Sequence, residues 1–161
     1  MKYRKFGSLD WNISEIGLGC WQIGADWGIV SEEKANEVLQ SSFENGVNFL
    51  DTADVYGDGR SEKFVGNFIN SISDRIYVAT KAGRRINPHT ANGYYDKKLM
   101  ESFVDRSLLN LNIETIDLLQ MHCPPTEVYS SDNTFEMLDY LVSKGKIQNY
   151  GFSVQTVDEA L

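Results

Sequence analysis

The chain has 161 residues, long enough for one domain with a real core and too short to argue for two. Its 42% hydrophobic and 24% charged content excludes a disordered chain. The 15 basic and 23 acidic residues leave a net charge of −8, which argues against a nucleic-acid partner. No apolar run approaches the roughly 18 residues that span a membrane, and MKYRKFGSLDWNIS lacks the apolar core of a signal peptide. A cytoplasmic protein is the expectation. Cys20 and Cys123 have no metal or redox-pair spacing, and His122 beside Cys123 cannot close a tetrahedral shell, so both read as buried free thiols and no metal is expected.

In chain order, YRKF-GSLD-WNIS predicts a short hairpin. SEIGLGCW predicts a first strand. SEEKANEVLQSSFEN predicts a helix capped by Ser31, with Glu32 and Glu33 in its first turn and Ala35, Val38, Leu39 and Phe43 along one face. Gly46 stands where a left-handed residue would close it.

The unit then repeats. VNFLD predicts a strand, followed from about Ser61 by a helix carrying Phe64, Val65, Phe68 and Ile69. IYVATK predicts the next strand, then a long loop, then a helix opened by Asp96 with Leu99, Met100, Phe103, Val104, Leu108 and Leu111 inward. IDLLQMH leads to a helix near Thr134 ended by Gly145, and NYGFSV to a fifth strand. Strands alternating with amphipathic helices imply βαβ units and a parallel sheet in a single domain, 1–161. Thr156-Val157-Asp158-Glu159 has the form of a capping box, so a further helix is expected to start there.

Three chemically loaded residues close consecutive strands: Asp51, Lys81 and His122, with Tyr56 five residues after the first. Strand carboxyl ends are where a parallel α/β barrel keeps its chemistry. Each residue alone has a plain reading: a structural ion pair, a loop tyrosine, a core histidine. Together they supply a phenolic proton donor, an ammonium beside it, a carboxylate to hold the ammonium, and an imidazole to orient a carbonyl. Such a set can protonate a carbonyl oxygen while hydride arrives at its carbon. Gly17-Leu18-Gly19 fails as a dinucleotide fingerprint because position 22 is Gln22. Arg84-Arg85 reads as a solvated loop pair, with a phosphate or acidic substrate as the alternative, and His89 as an exposed loop residue.

The segments GLGCW (17–21), GVNFLDTADVYGDGRSE (46–62), VATKAG (78–83), DLLQMHCPP (117–125) and GKIQNYGFSV (145–154) strongly resemble the aldo-keto reductases. The resemblance implies a (β/α)8 TIM barrel with an N-terminal β-hairpin closing its bottom, of which five strands and four helices lie here. It implies NADPH-dependent reduction of an aldehyde or ketone without a metal. It assigns Tyr56 as proton donor, Lys81 as the ammonium that tunes it, Asp51 as partner of Lys81, and His122 as the group orienting the substrate carbonyl. Gly19, Cys20, Trp21, Asp51 and Ser153 would contact the cofactor, and Trp27 would wall the substrate pocket. One departure is Val154, which follows Ser153 where the family commonly carries Ser-Asn. An inactive or regulatory half barrel, self-associating through open edges, is the alternative.

Overall fold

The computed structural model describes residues 1–24 and 28–161. Strands β1 (Tyr3–Lys5) and β2 (Asn12–Ser14) form an antiparallel hairpin with Arg4 opposite Ile13. Five strands then form one parallel sheet in sequence order: β3 (Leu18–Gly19), β4 (Phe49–Asp51), β5 (Tyr77–Ala82), β6 (Ile116–His122) and β7 (Ile147–Ser153). Every parallel neighbour needs a crossover, and helices supply it. These are α1 (Glu32–Glu44), α2 (Arg60–Ile69), α4 (Lys97–Leu111) after a short α3 (Ala91–Tyr95), and α5 (Asp132–Ser143). A final turn, α6 (Val157–Ala160), carries the expected capping box, with the Thr156 side chain and Glu159 capping each other's backbone N–H.

The helix starts follow their caps. Ser31 Oγ accepts from Lys34 N at 3.2 Å, and Asp96 Oδ1 accepts from Lys98 N and Leu99 N at 3.0 and 3.1 Å. Gly46 takes φ +87° just past α1, the left-handed conformation its position predicts. The loop expected between β5 and α4 instead contains α3. No helix among the described residues is long and apolar enough to cross a membrane.

Two apolar layers follow from strand alternation. One face, with Leu50, Val78, Ala82, Leu119 and Met121, packs against helix residues Leu39, Val65, Phe68, Met100, Val104 and Leu138. The other face is concave. At its amino-terminal end Trp11 and Ile13 of the hairpin plug against Ala79 and Leu118, with Phe49 and Tyr77 around them. The Trp11 and Tyr77 rings stack at 4.7 Å. Ser14 N donates to Asn48 Oδ1 at 2.7 Å, and Asn48 N donates to Ser14 Oγ at 3.2 Å, fixing the hairpin to the start of β4. The hairpin seals one end of the concave face and leaves the strands' carboxyl ends open.

Candidate active site

Alternation that sends Leu50 and Val78 to the helices sends Asp51 and Lys81 to the concave face. The parallel register sets Lys81 opposite Gln120 and His122 opposite Ser153, so these groups form one row at the strand ends. Tyr56 reaches the row from the turn after β4. That turn is tight: a Cβ on Gly57 (φ +57°) would lie 1.8 Å from Gly24 O, and one on Gly24 would lie 2.9 Å from the Tyr56 carbonyl carbon. Two glycines in contact therefore let the segment after β3 press on the turn that presents the phenol.

Lys81 is buried, and its ammonium has three identified acceptors. It donates to Asp51 Oδ1 in an ion pair, to Thr52 O at 2.9 Å, and to Tyr56 Oη at 3.4 Å. Its charge also stands 5.1 Å from the centre of the Tyr56 ring. Gln120 Nε2 donates to the second Asp51 oxygen at 3.1 Å. The carboxylate is thus held from both β5 and β6. Gln120 is a site residue that motif reading missed; its signal is two-residue alternation from His122 within IDLLQMH.

His122 meets Tyr56 edge to face, with ring centroids 5.9 Å apart at 89°. Burial, reinforced by the nearby positive charges of Lys81 and Arg84, pushes its pKa down from 6.5 to about 4. The imidazole is neutral at physiological pH. Its Nδ1 is buried and has no hydrogen-bond partner among the described residues. On the other side of Tyr56, the exposed Trp21 ring stacks on the phenol at 5.9 Å and 22°.

The remaining expected residues fall into three kinds of place. Gly19 pairs with Asp51 across β3 and β4, and a Cβ there would meet nothing within 4 Å, so the strand end is open beside the carboxylate. Ser153 lies beside His122, its Oγ 3.4 Å from Cys123 Sγ; that thiol is only partly buried, not buried as the sequence suggests, because Cys123 follows the last residue of β6. Cys20 is turned into the helix-side core: its thiol is fully buried, its N donates to Asp51 O at 2.8 Å, and its O accepts from Ser61 Oγ at 2.7 Å. Burial, aided by the Asp51 carboxylate, pushes that thiol up to about 12. Trp27 lies outside the described residues.

The two arginines after β5 do not behave as a solvated pair. Arg85 is half-buried: its Nε donates to Asp54 Oδ2 at 3.0 Å, and Nη2 donates to Asp54 O and to Asp58 Oδ1, the latter at 2.7 Å. Arg84 is exposed, and Nη1 donates to Cys123 O at 3.5 Å. His89 is the exposed loop residue that the sequence suggests, and its Nε2 lies 2.8 Å from Tyr94 Oη. Among the described residues no three His, Cys, Asp or Glu side chains come together to hold a metal ion.

Comparison with known proteins follows the same residues. The chain is 39% identical over 155 residues to the uncharacterized oxidoreductase YqkF of Bacillus subtilis, covering 95% of this chain and 49% of the relative. It is 31% identical over 164 residues to the aldo-keto reductase YhdN of the same organism, covering 98% and 49%. Among solved structures it resembles the holo form of aldo-keto reductase AKR11C1 from Bacillus halodurans, with TM-score 0.80, 34% identity, and coverage of 96% of this chain and 50% of that one. The chain therefore spans about half the length of the relatives it matches, and its sheet is part of a (β/α)8 barrel. Residues 15–160 match the family model described as the aldo/keto reductase family, and the chain belongs to that family.

Proposed function

We propose that this chain carries the proton-donating site of an NADPH-dependent reductase that converts an aldehyde or ketone to an alcohol, with Tyr56 as the acid. One observation carries the reading: Lys81 donates to Tyr56 Oη at 3.4 Å while Asp51 holds the same ammonium. An ammonium donating to the phenolic oxygen leaves the phenol's own proton free for a substrate oxygen. It also stabilises the negative charge that oxygen acquires as the proton leaves. His122, neutral and edge-on to Tyr56, can donate one N–H to the same carbonyl oxygen and fix its approach.

NADPH would supply the hydride. Its nicotinamide end would lie over the row of strand ends, from Gly19 and the Asp51 carboxylate on β3 and β4 toward the Ser153 hydroxyl on β7. Trp21 would add an exposed aromatic edge beside Tyr56. Cys20 would contact a ligand through its backbone carbonyl alone, because its thiol and N–H are engaged within the fold. A similar structure, an aldo-keto reductase from Klebsiella pneumoniae that is 25% identical with TM-score 0.78, is a complex with NADPH, which favours this cofactor over a flavin or metal.

The test is Tyr56→Phe. It removes the acidic proton and keeps the ring that stacks on Trp21. Turnover of a small aldehyde with NADPH is expected to fall by at least about 100-fold, with an unchanged circular dichroism spectrum and thermal midpoint. Retained turnover in that variant would sink the assignment.

A further inference from the structure

Resting on the reading of Tyr56 and His122 as the groups that meet the carbonyl, we propose that Arg84 is an anion subsite at the mouth of the site. It would select aldehydes or ketones that bear a carboxylate or phosphate a few carbons from the carbonyl. Three observations converge. First, the chain after β5 splits its two guanidiniums. Gly83 takes φ +105°, and a Cβ there would lie 2.2 Å from Tyr94 Cε1, so only glycine makes the bend. Beyond that bend Arg85 turns toward Asp54 and Asp58 of the β4 side, whereas Arg84 turns toward Cys123 at the end of β6.

Second, the nearby carboxylates are already committed. Asp54 accepts from Arg85, and Asp58 from Arg85 and Arg106. Arg84 forms no ion pair among the described residues. Of a guanidinium's five N–H donors, one reaches an identified acceptor, at a weak 3.5 Å. An uncovered arginine is notable in a chain of net charge −8. Third, its position suits a substrate tail. It contacts Cys123, the residue directly after His122, where β6 ends and the chain takes φ +45°. Tyr94 Oη donates to His122 O at 3.3 Å, and His89 stands edge to face with Tyr94 at 5.6 Å, so the end of β6 that Arg84 contacts is fixed by aromatic side chains. The fall in His122 basicity caused in part by Arg84 reports the same proximity. A planar fork at that place matches a carboxylate or phosphate carried on the substrate's tail.

The experiment compares kcat/KM of the purified chain, with NADPH at low ionic strength, for succinic semialdehyde against butyraldehyde and for glyceraldehyde 3-phosphate against glyceraldehyde. At least one anionic member is expected to be preferred about tenfold, one charge-assisted contact's worth. Whichever pair shows the preference identifies the anion as carboxylate or phosphate. Arg84→Met is expected to bring that ratio to near one through KM, and Arg84→Lys to restore part of it. Ratios near one in the unaltered chain, or ratios unmoved by Arg84→Met, would overturn the subsite while leaving the Tyr56 reading intact. If none of the four aldehydes turns over, the Tyr56 reading fails, and ligand-observed NMR titration of 4-hydroxybutyrate and of inorganic phosphate decides the subsite separately. Binding of either probe that Arg84→Met abolishes supports it; equal binding by both proteins, or none by the unaltered chain, overturns it.

Discussion

Two histidines are present; burial lowers the basicity of both, and for His122 it does so strongly. Its pKa of about 4 means the ring should stay neutral across the range in which an ordinary histidine titrates. Imidazole carbon shifts followed by NMR should give a midpoint near 4 for His122. A midpoint near 6.5 would show that the ring is solvated and free to carry charge. The distinction bears on mechanism, since a neutral ring orients a carbonyl oxygen without competing with Tyr56 as acid. Residue-scale legibility was uneven for a physical reason. Asp51, Tyr56, Lys81 and His122 stand in sequence motifs at strand ends, so pattern alone finds them. Gln120 and the Arg85 cluster depend on partners far along the chain: Gln120 to Asp51 is 69 residues, and Arg85 to Asp54 is 31. Such pairings have no local signature; alternation from His122 gives the face on which Gln120 lies but not its partner.

At the scale of elements, α2 and α4 approach so closely that Gly66 leaves no room for a methyl group. A Cβ there would lie 2.5 Å from Leu111 O and 2.6 Å from its carbonyl carbon. Both are backbone atoms at the end of α4, and Leu111 O also accepts from Asn70 Nδ2 at 3.1 Å. Gly66→Ala gains up to about 1 kcal/mol of helix propensity. Overpacking against backbone costs roughly 1–3 kcal/mol and should take the upper end here. A net loss of about 1–2 kcal/mol is expected in urea unfolding. Stabilisation instead would mean the two helices separate freely. Helix boundaries were legible because Ser31, Asp96 and Thr156 cap by side chain, a local signal. The short α3 was not, because Ala-Asn-Gly-Tyr-Tyr reads as a loop; Ala91 and Tyr94 are buried there, and Ile86 lies against Gly93. Tertiary packing, not propensity, makes that turn helical.

For the molecule as a whole, two buried groups set opposing slopes of stability with pH. Burial raises Asp54 from 3.8 to about 6, with Glu62 adding to the rise and Arg85 opposing it. A carboxyl group with a raised folded-state pKa contributes stability below its unfolded value, and that contribution is lost as pH rises through about 6. About two units correspond to roughly 3 kcal/mol. His122, depressed from 6.5 to about 4, does the reverse, losing stability as acid is added through that window. The two contributions largely cancel between about pH 4 and 6. Asp54→Asn leaves the histidine slope unopposed, so the variant should lose stability on acidification more steeply than the unaltered chain. Urea midpoints at about pH 4, 5.5 and 7 measure this, and parallel curves would contradict it.

The Asp51 carboxylate is gripped by Lys81 of β5 on one oxygen and by Gln120 of β6 on the other. Three neighbouring strands thus share one small knot at their ends. A strand shifted by a single residue would turn its side chain to the opposite face and leave the knot unmade. The knot is consequently a gauge of assembly: a sheet mispaired by one position lacks it, so alignment of β4, β5 and β6 is read out at the place where substrate would arrive.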